Sequence, residues 1–290
     1  MNKEQKEFLK LIEDTFNVSE KDHKGILKKY RQSRNNVKQF IANLYMDYGV
    51  DGSIDYAELQ KYNRMNKLEE MLKEQGREIV KEERKILPAV LATAYAATYY
   101  KSAYQIEQTI QVGINFKLLK PEFVKEAVNF DWSGVPFSQR IWDNQDKLVK
   151  SLRTEIVRGI RDGESIDKVS RRINKQFNAK AYESQRLART ETARVIQQAQ
   201  DKIYKDSGVL EQVQYLATLE ENTCEECEDL DQEVYGIDEN KPSIPRHPNC
   251  RCTYIPYFGN YQNEKRKDNE TKEIIANVSY SKWAKDKGIN

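Results

Sequence analysis

The sequence predicts a mainly helical α+β protein, in which a helical N-terminal half precedes a helical domain that ends in a small antiparallel sheet. Three observations predict it. Apolar residues recur at helical spacing over most of the chain up to Asp206, short alternating segments replace that period after Gly208, and all four cysteines fall between Cys224 and Cys252. At 290 residues the chain is long enough for two modest domains, and its 32% charged residues against 38% hydrophobic suit exposed helix rather than one large core.

Phe8, Leu11, Ile12 and Phe16 mark the first helix, and Asn17-Val18-Ser19 is expected to break it before Ile26, Leu27, Tyr30, Val37, Phe40, Ile41 and Leu44 continue the period. His23 reads as a lone surface residue with no chemistry attached. Residues 47–58 resemble an EF-hand loop, with acids at Asp47, Asp51, Asp55 and Glu58, Gly52 at the sharp turn and Ile54 as the aliphatic. Gly49 stands where such a loop needs a further oxygen ligand, so calcium is not expected. The segment is read instead as a helix-connecting turn, with Gly52 at positive φ and Ser53 or Asp55 capping the next helix.

Leu59, Tyr62, Leu68, Leu72, Ile79 and Ile86 then predict a long helix over 56–111, weakest at Gly76 and at Pro88, which lacks a donor and crowds the preceding turn. The charge-free stretch 86–100 is short and mostly Ala, Thr and Tyr, so no membrane span is expected. Ala89, Ala92, Ala96 and Ala103 predict a close helix–helix contact there.

The chain is accordingly divided into a helical N-terminal domain at 1–111, a connector and leading helix at 112–149, a second domain at 150–257 and a flexible tail at 258–290. Gly113, Pro121, Asp131-Trp132-Ser133-Gly134 and Pro136 make the connector, and Ser138 caps a helix carrying Ile141, Trp142, Leu148, Leu152 and Ile156. Gly159 and Asp162-Gly163 break it. Two further helices are expected, one from Ser165 through Phe177 and one over 179–206, the latter with Ala188, Thr192, Val195 and Ala199 as its apolar stripe and Arg189 and Glu191 off that stripe. Strands are expected at 213–217, 233–235 and 251–257, and Pro242, Pro245 and Pro248 restrict the loop between the last two. The tail ends on Val278, Tyr280 and Trp283, an amphipathic segment suited to docking on a partner.

Cys224-x2-Cys227 followed by His247-Pro248-Asn249-Cys250-Arg251-Cys252 has the spacing of a zinc knot, four of these five side chains being enough to close a tetrahedral cage. Cys250 and Cys252 are two apart, so on a strand both sulfurs face the same way. Two disulfides and a redox C-x-x-C pair are the alternatives. The charged N-terminus lacks the apolar core of a signal peptide, which predicts a reducing compartment. Glu225, Glu226, Glu228 and Asp229 crowd the first pair with negative charge, which disfavours thiolate reactivity and favours a bound cation.

Ala188-Arg189-Thr190-Glu191-Thr192 on a helix, a strand near Tyr215, Thr223-Cys224-x2-Cys227-x2-Leu230-Asp231 and His247-Pro248-Asn249-Cys250-Arg251-Cys252, in that order, resemble the phage Mu F-like minor head protein (head morphogenesis) family over about 150–257. Gln232 stands where this family commonly has Gly, and Glu220 where Asp is usual. The resemblance implies a minor capsid protein of a tailed phage or prophage, resident in the virion and in the host cytoplasm during assembly. It also implies the portal and other head proteins as partners, with DNA encountered at ejection, and no enzyme chemistry.

The charge distribution adds a second reading. Residues 147–189 hold twelve Lys or Arg against five Asp or Glu, and 211–239 hold eleven acids and no Lys or Arg, although the whole chain is only +2. Arg171, Arg172 and Lys175 therefore mark a candidate face for phosphates or an acidic partner, which would suit a zinc-containing nucleic-acid-binding module. A third reading takes Arg189-Thr190-Glu191 as an ADP-ribosyltransferase-like site. Because no other catalytic constellation accompanies the triplet, Arg189 and Glu191 are read as a structural anchor of the helix against the sheet.

Overall fold

The computed structural model describes residues 3–110, 113–114, 116–218, 220, 223–257, 265–267 and 274–276, with side chains only from residue 6 to 257. Helix α1 (Lys3–Tyr48) leads into a hairpin of β1 (Gly49–Val50) and β2 (Ser53–Ile54). Then follow α2 (Tyr56–Gln60), one 3-10 turn at Lys61–Asn63, α3 (Arg64–Ile110), α4 (Pro121–Asn129), α5 (Phe137–Arg161) and α6 (Ile166–Ser207). Strand β3 (Gln212–Leu216), α7 (Glu225–Asp229), β4 (Val234–Gly236) and β5 (Thr253–Tyr257) complete the expected α+β pattern, and β6 (Lys265–Lys267) pairs with β7 (Ile274–Ala276) inside the segment expected to be a flexible tail. Val278, Tyr280 and Trp283 lie outside the described residues.

The chain forms two compact units. The first comprises Met1–Lys21, Val90–Asn129 and Arg189–Asn290, and the second Asp22–Ala89 and Phe130–Ala188. In the first, Leu11, Ile12 and Phe16 pack with Ala193 and Ile196, and Phe8 meets Tyr204 edge to face at 6.4 Å. Its sheet is antiparallel in the order β4-β3-β5, with Val213 opposite Tyr235 and Pro256, and Tyr215 opposite Tyr254. Strand β3 is the central one and four of its five residues are buried, which is why it lacks clean alternation. In the second unit, α1, α3, α5 and α6 contribute Ile26, Val37, Ile41, Leu68, Leu72, Ile79, Leu148, Leu152, Ile156, Val169 and Ile173 to the core.

Several expectations give way to packing. The break at Asn17-Val18-Ser19 is absent and α1 runs through, with the Thr15 and Ser19 hydroxyls donated to the carbonyls one turn back, each at 2.9 Å. His23, expected on the surface, is buried. Gly76 is no weak point: a Cβ there would lie 2.3 Å from Gln145 Nε2 and 2.9 Å from Val149 Cγ2, so the glycine lets α3 approach α5. Pro88 also sits inside α3 without ending it. The helix expected from 56 is interrupted instead at Tyr62, which has φ +48° and is 81% exposed rather than a core mark.

The alanine stripe is only partly turned to the core. Ala103 is buried, but Ala89 is exposed and Ala92 and Ala96 are half-buried, because Leu91, Tyr95, Tyr99 and Ile106 hold the rest of the inward face. Trp142 is likewise 40% exposed. The two helices expected over 165–206 are one, α6, because nothing at Asn178 or Ala179 stops the backbone. The EF-hand-like segment is a two-residue hairpin loop in which Asp51 and Gly52 both take positive φ, and the Asp55 side chain caps α2 by accepting from Ala57 N at 2.9 Å. Glu58, the would-be last ligand, is held by Lys61 and Arg64.

Candidate metal centre and the motif helix

Two hydrogen-bonded turns build the cysteine cluster in the first unit. Cys224 caps α7 and its carbonyl accepts from Cys227 N at 3.0 Å; His247 O accepts from Cys250 N at 3.1 Å. The first turn brings Cys224 and Cys227 to one side, the second supplies His247 and Cys250, and Cys252 follows immediately before β5. The donor atoms of Cys224, Cys227 and His247 lie within 4.8 Å of one another, as do those of Cys227, Cys250 and Cys252. Cys227 belongs to both triads. A tetrahedral ion with metal–sulfur bonds of about 2.3 Å has donors roughly 3.8 Å apart, so this cluster is of the size to hold a metal ion.

The chemistry of the donors agrees with that size. His247 Nδ1 is 3.0 Å from Pro248 O, a carbonyl that only accepts; the proton therefore sits on Nδ1 and Nε2 carries the free lone pair, 3.5 Å from Cys227 Sγ. Tyr215, fully buried on β3, donates its hydroxyl to Cys227 Sγ at 3.3 Å. Hydrogen bonds from Cys227 and then Cys252 pull the Cys250 thiol well below its usual range, while the same contacts push Cys227 up. The four cysteines are free thiols, and Cys227, Cys250 and Cys252 are buried.

The cluster is tied to the motif helix residue by residue. Thr190 Oγ1 accepts from Asn249 N at 3.1 Å, and Asn249 takes φ +66° to present that N–H. Arg189 Nε and Arg251 both donate to Glu20 Oε1 on α1 at 2.7 Å. Burial raises the Glu20 pKa, but the two guanidiniums outweigh it and hold the carboxyl below its usual range. Glu191 is 2% exposed and accepts from Arg194 Nε at 2.7 Å; Arg194 also donates to Ala127 O at 2.6 Å and Val128 O at 3.0 Å, at the end of α4. Arg189 is therefore tied to α1 through Glu20, and Glu191 holds Arg194, the side chain that reaches α4.

Arg194 and Glu20 carry this arrangement and were not singled out in the sequence. The available signal was Glu191-x2-Arg194, an acid and a base one turn apart in a stretch otherwise of Ala, Thr, Val and Ile. Residues 190–197 are buried on every face of the helix, so the predicted one-sided stripe understated its burial. Asp231 of the Leu230-Asp231 pair also has a role: its Oδ1 accepts from Ala217 N at 2.9 Å and holds the end of β3.

The basic face lies in the second unit and is only partly available. Arg172 donates to Glu164 at 2.7 and 2.8 Å and to Glu155 at 2.6 Å, contacts that raise its pKa further, whereas Arg171 and Lys175 are exposed. No helix among the described residues is long and apolar enough to cross a membrane.

Residues 150–255 match the family described as Phage Mu protein F like protein, in keeping with the resemblance read from the motifs. The chain is 29% identical over 205 residues to the NAD(+)--arginine ADP-ribosyltransferase EFV of Enterococcus faecalis, a match that covers 65% of this chain and 42% of that enzyme. It is also 25% identical over 297 residues to the minor head protein GP7 of Bacillus phage SPP1, with 93% of this chain and 94% of that protein covered. No solved structure matches.

Proposed function

Because residues 150–255 match the Phage Mu protein F like family, we propose that this protein is a minor head protein with a structural role in capsid assembly. The observation that carries the reading is the near end-to-end match to a minor head protein, over 93% of this chain. The proposal extends to the division at 1–111, 112–149, 150–257 and 258–290, and to the portal and other head proteins as partners. The protein would be assembled in the host cytoplasm, kept in the virion and present during DNA ejection. Heads purified from cells lacking this protein should regain it when it is supplied in trans; heads that assemble and package normally without ever incorporating it would overturn the reading.

The metal in this proposal is zinc. Thiolates and imidazole favour it over the oxygen-seeking cations, and four closed ligands leave no position for substrate, so the ion supplies folding energy. Elemental analysis should find about one zinc per chain in protein prepared without chelator.

The similarity to an ADP-ribosyltransferase favours an enzyme as the second reading. Against it, the Arg189-Thr190-Glu191 triplet is engaged with Glu20, Asn249 and Arg194. Incubation with labelled NAD and an arginine-containing acceptor should give no transfer. Transfer that Glu191→Gln removes without unfolding the protein would instate the enzyme.

A further inference from the structure

The second unit contains a cavity of about 330 Å³ between α1 and α6 that none of the readings above uses. Its size is at the lower end for small-molecule sites, which run from about 300 to 1,000 Å³. Arg31 and Arg34, one helical turn apart on α1, line it, and no carboxylate does. Elsewhere in this unit Lys29, Arg153, Arg172 and Lys180 are each tied to a glutamate. Arg34 Nε is buried and has no hydrogen-bond partner. A buried charged donor left unpaired is costly, and an anionic oxygen would satisfy it.

The rest of the lining narrows the ligand. Phe177 and Tyr182 on α6 supply aromatic surface, Tyr182 being 52% exposed although it lines the cavity. Asn178 and Gln185 offer both amide donors and amide acceptors. A bare phosphate would use the arginines and leave the rings and amides idle; an acyl chain would use the rings and leave the amides idle. A flat heterocycle bearing a phosphate uses all three, since bases stack on aromatic rings, amides read their edges and guanidiniums take the phosphate.

We propose that this cavity binds a nucleotide, with Arg31 and Arg34 on the phosphate and Phe177 and Tyr182 against the base. The nucleotide is either free or one unit of a single strand. The full-length protein is titrated calorimetrically with the nucleoside monophosphates, with the matching nucleosides, with inorganic phosphate and with a short single-stranded oligonucleotide. Monophosphate binding should be at least about tenfold tighter than phosphate or nucleoside alone, and Arg34→Gln and Tyr182→Ala should each weaken it by about tenfold or more. If Arg34→Gln lowers the melting temperature, the exposed Arg31→Gln takes its place. An oligonucleotide that binds more tightly than the monophosphate assigns the site to a strand; one that binds less tightly assigns it to the free nucleotide. No monophosphate binding at millimolar concentration, phosphate binding as tight as monophosphate binding, or folded variants that bind like the parent would each overturn the proposal.

Discussion

Gln232 holds φ +73° where the related family commonly has glycine, with its N–H bonded to Tyr215 O at 2.9 Å and its carbonyl accepting from Gln214 at 3.1 Å. The backbone keeps the glycine conformation although the side chain disfavours it. Gln232→Gly should therefore raise stability by up to about 1 kcal/mol in denaturant melts, the αL strain relieved being partly offset by the looser unfolded chain. Glu83 makes a second residue-level case. It is 3% exposed, takes hydroxyl donors from Tyr30 and Ser184 on one oxygen, and leaves the other unpartnered, so burial pushes its pKa to about 7. Between roughly pH 4.5 and 7 the folded state holds a proton that the unfolded state has lost. Stability therefore falls as pH rises through that window, by up to about 3 kcal/mol. Glu83→Gln should flatten this part of the profile, as urea melts at pH 5 and pH 8 would show; an unchanged difference between the two would mean the carboxyl titrates normally.

At the scale of elements, the sheet β4-β3-β5 is small, and the cysteine cluster built by the turns at 224–227 and 247–250 meets it at Tyr215 on β3. Cys227→Ser removes the donor common to both triads. It should abolish hydrogen-exchange protection over about 215–257 while the second unit keeps its own, and a chelator should do the same to the parent. Equal protection in mutant and parent would make the cluster dispensable. The motif helix depends on a different device. Arg194 and Glu191 are each 2% exposed, and breaking a buried ion pair by removing one partner is strongly destabilising. Arg194→Met should cost about 3–5 kcal/mol in denaturant melts and loosen α4, whose last carbonyls it holds.

At the scale of the whole molecule, the basic stretch separates a docking surface from a DNA contact. Arg172 is committed to Glu155 and Glu164, so the pair Arg171→Gln and Lys175→Gln tests the face without disturbing the fold. A net charge of only +2 gives little long-range attraction to DNA, and the double variant should enter heads less efficiently while its DNA affinity and salt slope stay as they were. Normal incorporation with lost DNA affinity would reverse that assignment. The sequence alone determined the mainly helical α+β class, the three strands, the turn at Asp51-Gly52 and the five metal-ligand candidates, because each rests on local periodicity, turn chemistry or short spacing that survives any tertiary arrangement. Only the tertiary structure decided that α1 and α6 run unbroken, that Gly76 is a contact rather than a hinge, and that Glu20, Arg194 and Asn249 latch the motif helix to its neighbours. It also set Arg31 and Arg34 beside Phe177 and Tyr182. Those partners lie more than a hundred residues apart in several cases, and no local rule specifies which distant residue fills a gap or meets a charge; that is settled when the apolar faces pack and most buried polar groups find a partner.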